Sequence, residues 1–247
     1  MATVHEIEQS LFSWAPRESA MDWDNVGHLV GDPEREVTRV LVALDITERV
    51  AREAIDLGAQ LIVSHHPVMN VRWHEHEMQT LRSDTRLGGL LTMLVKNDVS
   101  AICMHTNLDA ADGGVNDCLA KKLGLNDVFS LNDEKIGRIG TLSCEKGLEE
   151  FLRDVIESLG CGGLRYRSGS GRVHRVAVGG GACGEYIPQA IAQGCDTFVT
   201  SDLRYNDFLD TQGLNLIDAG HFPTENVVCP AIAAYLKAHF PEVQTVI

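Results

Sequence analysis

The stretch 40–64 recurs at 176–200 at a constant offset of 136 residues, without a gap. Val40 and Val42 fall on Val176 and Val178, Ala54-Ile55 on Ala190-Ile191, Gly58 on Gly194, and Val63-Ser64 on Val199-Thr200. Each copy reads as strand, helix, strand, with glycine where the helix stops. A strand–helix–strand unit of this length closes by a right-handed parallel crossover. Any two such units share a few apolar positions, but the unbroken register favours duplication. The expected fold is therefore α/β: two related α/β lobes with mixed, largely parallel sheets.

The first copy ends in Leu61-Ile62-Val63-Ser64-His65-His66-Pro67. Three consecutive apolar residues suit a parallel strand covered on both faces. Pro67 has no N–H for the ladder and stops it. Neighbouring strand side chains point to opposite faces, so His65 and His66 converge on one site only if the chain is already turning. In the second copy Ser201 and Asp202 stand at these two positions. One lobe would thus carry metal chemistry and the other support or substrate contacts.

Two further places offer histidine and carboxylate at or just after an expected strand. Val99–Met104 leads into His105-Thr106-Asn107-Leu108-Asp109, and Leu214–Asp218 leads into Gly220-His221 with Glu225 four residues on. Ligands of open α/β sheets bind beyond the carboxyl ends of strands. If a helix begins near Pro223, His221 and Glu225 share a face. Imidazole and carboxylate without thiolate suit Zn, Mn or Fe. Five ligands from these three places exceed one tetrahedral zinc with an open position. They suit two divalent ions about 3.5–4 Å apart with a bridging carboxylate.

Along the rest of the chain, the pattern predicts helices over 3–14 (capped by Thr3 with Glu6), 47–57, 80–97, 115–123, 145–159, 186–193 and 227–239. Strands are expected over 37–44, 61–64, 99–104, 135–143, 173–178, 197–200 and 214–218. In the 145–159 helix Leu148, Phe151, Leu152, Val155 and Ile156 are expected inward. MDWDNVGHLVGDPE reads as a loop, with Trp23 at an interface or pocket rim, and CGGLRYRSGSGR as a flexible loop or hairpin tip. The polar stretch 68–78, with Trp73, His74 and His76, reads as a loop over the site. The lobes are expected as 1–127 with 213–247, the metal-binding lobe, and 128–212.

At a net charge of −14, non-specific nucleic-acid binding is disfavoured, and RYRSGSGR is the one short basic cluster. The charge leaves room for a phosphorylated small molecule, because a metal supplies local positive charge. Seven dispersed cysteines without a CxxC pair suggest reduced thiols in a cytoplasmic protein. No leader and no membrane-spanning run is expected.

Taken together, DWDNVGHLVG (22–31), SHHP (64–67), HTNLDAADGGVND (105–117), GGG (179–181), TSDLRYND (200–207) and DAGHFPTEN (218–226) resemble the Nif-three-like family, often described as GTP cyclohydrolase I type 2 homologues. The resemblance covers nearly the whole chain. It implies a dinuclear metal site in which His65 and Asp109 hold one ion, His66 and His221 the other, and Glu225 bridges. It also implies a first lobe completed by the C-terminal helix, and a ring-shaped homohexamer. The chain departs from the family pattern at Ser201, where a glycine is usual, and at Asn206, where a histidine is usual. Two functions follow as expectations. One is a metal-dependent hydrolase of a nucleotide or related small molecule, in which His105 or a nearby acid would move protons as the candidate catalytic residue. The other is a non-catalytic metal-binding or regulatory scaffold.

Overall fold

A computed structural model describes residues 1–70 and 80–247 of the chain. The polar loop with Trp73, His74 and His76 lies outside the described residues. The chain divides into two compact units, Met1–Ala111 with Cys229–Ile247, and Asp112–Val228.

In the first unit, β1 (Ala2–Thr3) leads into α1 (Val4–Trp14). The Thr3 hydroxyl accepts from Glu6 N–H and the Glu6 carboxylate accepts from Thr3 N–H, so the expected capping box is present. Then come β2 (Gly27–Val30), β3 (Glu36–Val37), β4 (Arg39–Ala43), α2 (Glu48–Leu57), β5 (Leu61–Ser64), α3 (Arg86–Lys96), β6 (Ser100–Cys103) and α4 (Thr106–Ala110). The second unit holds α5 (Val115–Lys122), β7 (Asn126–Ser130), β8 (Arg138–Gly147), α6 (Leu148–Leu159), β9 (Arg165–Arg167), β10 (Arg172–Val178), α7 (Ile187–Ala192), β11 (Thr197–Thr200), α8 (Tyr205–Asp210), β12 (Asn215–Asp218) and α9 (His221–Glu225). The chain returns to the first unit with α10 (Cys229–His239) and β13 (Gln244–Val246).

The expected lobe bounds differ from these at both ends. Leu119, Ala120 and Leu123 of the α5 region pack with Phe151, Val176 and Val199 of the second core. β12 is hydrogen-bonded in parallel to β11. Residues 112–127 and 213–228 therefore belong to the second unit, and His221 and Glu225 with them.

The first sheet runs β13-β4-β5-β6-β2 and the second β7-β8-β10-β11-β12-β9. Each has three parallel inner strands and an antiparallel edge strand beside the last of them, β2 on β6 and β9 on β12. The sequence repeat is reproduced at the level of hydrogen bonds. Val40 pairs with Leu61 and Val176 with Thr197; Val42 pairs with Val63 and Val178 with Val199. The helix stops match as well. Ala59 N–H donates to Ala54 C=O and Cys195 N–H to Ala190 C=O, around Gly58 (φ +64°) and Gly194 (φ +71°). Gln60 N–H reaches Arg39 C=O as Asp196 N–H reaches Arg175 C=O.

The strands of the two large sheets that the pattern missed are β2, β7, β9 and β13, and all four are sheet edges. An edge strand has one partner and often one wet face, so its apolar signal is weak. Residues 126–129 of β7 are all exposed. Helix α3 starts at Arg86, capped by Thr85, and not at 80. Ile156 is 38% exposed rather than inward.

The Gly- and Arg-rich loop before β10 is tied down by Asn215. Its carbonyl accepts from Gly169 and Gly171 N–H, and its amide donates to Arg172 C=O and Thr197 Oγ1. Asn215 is fully buried, so removing the amide strands several polar groups. Asn215→Ala is expected to cost about 3 kcal/mol in urea denaturation and to open residues 168–171 to limited proteolysis.

Candidate metal centre

In the first unit the chain turns as soon as β5 ends. Ser64 Oγ donates to His66 C=O (2.8 Å), while His65 and His66 N–H continue along the neighbouring strand to Ala43 and Leu44 C=O. This turn lets adjacent histidines face a common space, with ring centroids 5.0 Å apart. Met104 N–H bonds Ser64 C=O and brings the end of β6 alongside. The His105 ring then lies 5.2 Å from His65 and 5.5 Å from His66. One ring nitrogen from each of the three lies within 4.8 Å of the others. Asp109, one turn along α4, places Oδ1 3.6 Å from His65 Nε2. The sequence reading set His105 apart as a proton mover; the structure seats it directly beside His65 and His66.

Each of these imidazoles is held from behind. His65 Nδ1 meets Met104 C=O at 2.8 Å, His66 Nδ1 meets Asp45 Oδ1 at 2.8 Å, and His105 Nδ1 meets Asp24 Oδ1 at 2.8 Å. Carbonyl and carboxylate oxygens only accept, so Nδ1 carries the hydrogen and Nε2 the lone pair of the neutral ring. That is the arrangement of metal-ligating histidines. Asp24 also accepts from Thr106 N–H (3.0 Å) and Thr106 Oγ1 (2.5 Å). Burial pushes its carboxyl pKa up, but the bonds and charge of His105 and the bonds from Thr106 win and hold it at about 2. Trp23 stands edge-on to His105 at 6.0 Å, and Asn25 Nδ2 donates to Met69 C=O. The DWDN stretch is thus the brace of this site.

In the second unit, α9 opens at His221, two residues before the expected start at Pro223. His221 Nε2 lies 2.9 Å from Glu225 Oε2 and its Nδ1 2.6 Å from Asp202 Oδ2. The hydrogen bond to Glu225 comes first among the causes that lift the His221 pKa to about 9; burial opposes it, and the charge of Glu225 and the contacts of Asp202 add to it. The GGG turn explains how the Glu225 carboxylate fits. A Cβ on Gly181 (φ +68°) would lie 2.1 Å from Glu225 Oε1, and one on Gly180 3.3 Å from Glu225 Cγ. The turn does not cradle a phosphate: Gly179, Gly180 and Gly181 N–H donate to Val199 C=O, Asn116 Oδ1 and Thr224 Oγ1.

The donor chemistry in each unit fits a divalent cation: imidazole nitrogens with fixed tautomers and neighbouring carboxylates. Sequence reasoning missed Asp24, Asp45 and Asp202. Asp24 and Asp202 lie in motifs it singled out, but an acid behind an imidazole has no spacing signature.

The family model described as Duf34/NIF3 (NGG1p interacting factor 3) matches residues 2–247. The chain belongs to the DUF34/NIF3 family. Among curated relatives, a Clostridium perfringens protein called GTP cyclohydrolase 1 type 2 homolog is 36% identical over 243 residues, covering 95% of this chain and 91% of that one. A Streptomyces coelicolor protein of the same name is 34% identical over 250 residues, covering 96% and 86%. The fold matches solved NIF3 structures. A Bacillus cereus protein related to NIF3 aligns with TM-score 0.90 at 25% identity, covering 99% of this chain and 96% of that one. A Staphylococcus aureus protein, SA1388, aligns with TM-score 0.89 at 28% identity, covering 98% and 95%. Among the described residues of this NIF3-family chain, no helix is long and apolar enough to cross a membrane.

The brace at Asp24 has a pH signature. Its folded pKa of about 2 lies below the ordinary 3.8, so its stabilisation is present above about pH 4 and is lost as pH falls from there to about 2. The shift corresponds to about 2 kcal/mol. Asp24→Asn is expected to be about that much less stable at pH 7, with a correspondingly flatter acid limb in denaturation measured from pH 6 to 2.

Proposed function

We propose that the donors of the two units serve one centre for two divalent cations, Zn, Mn or Fe. His65 and Asp109 would hold one ion, His66 and His221 the other, and Glu225 would bridge. On this reading the protein is a metal-dependent hydrolase of a nucleotide or related small molecule. The observation that carries it is shared by four imidazoles: each has Nδ1 held by an acceptor, so Nε2 is the nitrogen that would meet a cation. When bound, the cations supply Lewis acidity for activating water and neutralising phosphate charge. His105, backed by Asp24 as a general base is backed by its orienting acid, takes and returns a proton at Nε2. The net charge of −14 disfavours an anionic substrate overall, and a cation would supply positive charge locally. The relatives' name, GTP cyclohydrolase 1 type 2 homolog, supports a purine nucleotide as the substrate class. Seven free thiols accord with a cytoplasmic setting, and a homohexamer is the assembly the family resemblance supports.

One observation favours the second reading, a metal-binding scaffold without turnover. The GGG amides are all engaged within the protein, so that turn offers nothing to a nucleotide phosphate.

Elemental analysis of the purified protein is expected to give two ions per subunit, and Glu225→Ala to lose at least one of them together with turnover of a nucleotide panel. Two ions and full activity in that variant would overturn the proposal. His105→Gln is expected to keep its metal while slowing turnover about 10²-fold or more. Tight metal binding with no product from any nucleotide would favour the scaffold.

A further inference from the structure

Asp202 is an odd residue to find where it stands. It occupies, in the second copy of the repeat, the position that His66 occupies in the first. Its backbone is left-handed, φ +53°, a conformation that favours glycine. Its side chain is 53% exposed, and its bond to His221 is a half-exposed ion pair. Such exposed pairs contribute little, no more than the left-handed backbone costs. Stability therefore gives no reason to keep an aspartate here.

The turn itself is fixed by neighbours. Ser201 N–H donates to Gly181 C=O, Leu203 N–H to Asp218 Oδ2, and Ala219 N–H to Thr200 C=O. None of these bonds uses the Asp202 side chain. What that side chain does is accept the Nδ1 hydrogen of His221 at 2.6 Å, with Glu225 on the opposite ring nitrogen at 2.9 Å.

We infer that Asp202 is a positioning residue for the metal centre: it locks His221 in the Nδ1–H tautomer and orients Nε2 beside Glu225. The second copy of the repeat thus turns a ligand position into the position that aims a ligand. The inference rests on the metal-centre reading above. It assigns to the second unit the task that Asp45 performs on His66 in the first.

Three proteins test it: wild type, Asp202→Gly and Asp202→Asn. Each is titrated with Zn2+ against a chromophoric chelator and unfolded in urea without metal. Wild type is expected to take up metal. Asp202→Gly is expected to bind about 10–100-fold more weakly, the usual effect of losing an orienting partner, with an unchanged or raised urea midpoint. Asp202→Asn retains an acceptor oxygen and is expected to recover most of the affinity. Within a Glu225→Ala background, Asp202→Gly is expected to add little, because both act through one imidazole. Wild-type affinity in Asp202→Gly, within about twofold, would overturn the inference while leaving the metal centre standing. A fall in urea midpoint with no change in affinity would assign Asp202 a structural role instead. A wild type that takes up no metal would overturn the metal centre and this inference together.

Discussion

An imidazole can offer a cation one nitrogen only, and it offers the right one only if something holds the other. Four histidines of this protein satisfy that condition by the same means. A carbonyl stands behind His65, and carboxylates stand behind His66, His105 and His221. The partners come from outside the ligand motifs: Met104 from a strand end, Asp24 from the DWDN loop, Asp45 from the turn after β4, Asp202 from the turn after β11. Because each holder is fixed by its own backbone or hydrogen bonds, the rings are oriented before any cation arrives.

The duplicated strand–helix–strand frame is what makes these positions available. Its two copies keep the same pairing register, the same glycine stop and the same strand-to-strand connection bonds, so they deliver residues to the same place in each sheet: just past the carboxyl ends of the middle strands. The frame does not dictate what is delivered. After β5 it presents His65 and His66, after β11 Ser201 and Asp202. Such a division of labour follows from fold physics. Parallel inner strands must be buried and cannot vary freely, whereas residues in the turns beyond them can change side-chain chemistry while their backbone bonds stay.

How much of this was legible in the sequence depended on whether a feature repeats along the chain or only in space. Thr3 with Glu6, Thr47 with Gly58, and the inner strands all have local signatures, and they stand where the pattern places them. The edge strands do not, because one partner and one wet face leave little hydrophobic period to read. Gly27 (φ +107°) and Gly31 (φ +105°) flank β2 and disguise a short strand as a loop. Arg165 and Arg167 make β9 look like a basic loop, yet they are fastened to Asp218 and to the carbonyls of Leu203, Phe208 and Leu209. The ligand-type residues were visible as histidines and acids after strands. Their holders were not, because Asp24 and His105 are separated by 81 residues and share no period.

The glycines at 179–181 show why a motif must be read through its contacts. A glycine run after a strand suggests a phosphate loop, since bare amides there can wrap an anion. Here the amides are all committed, and the glycines serve by absence of a side chain. Glu225 is 4% exposed and directly faces Gly181; any Cβ at that position would occupy the space of its carboxylate oxygen. A buried carboxylate needs a positive partner to remain ionised, and in the metal-free state a protonated His221 fills that role. The turn is therefore shaped around an acid, not around a phosphate.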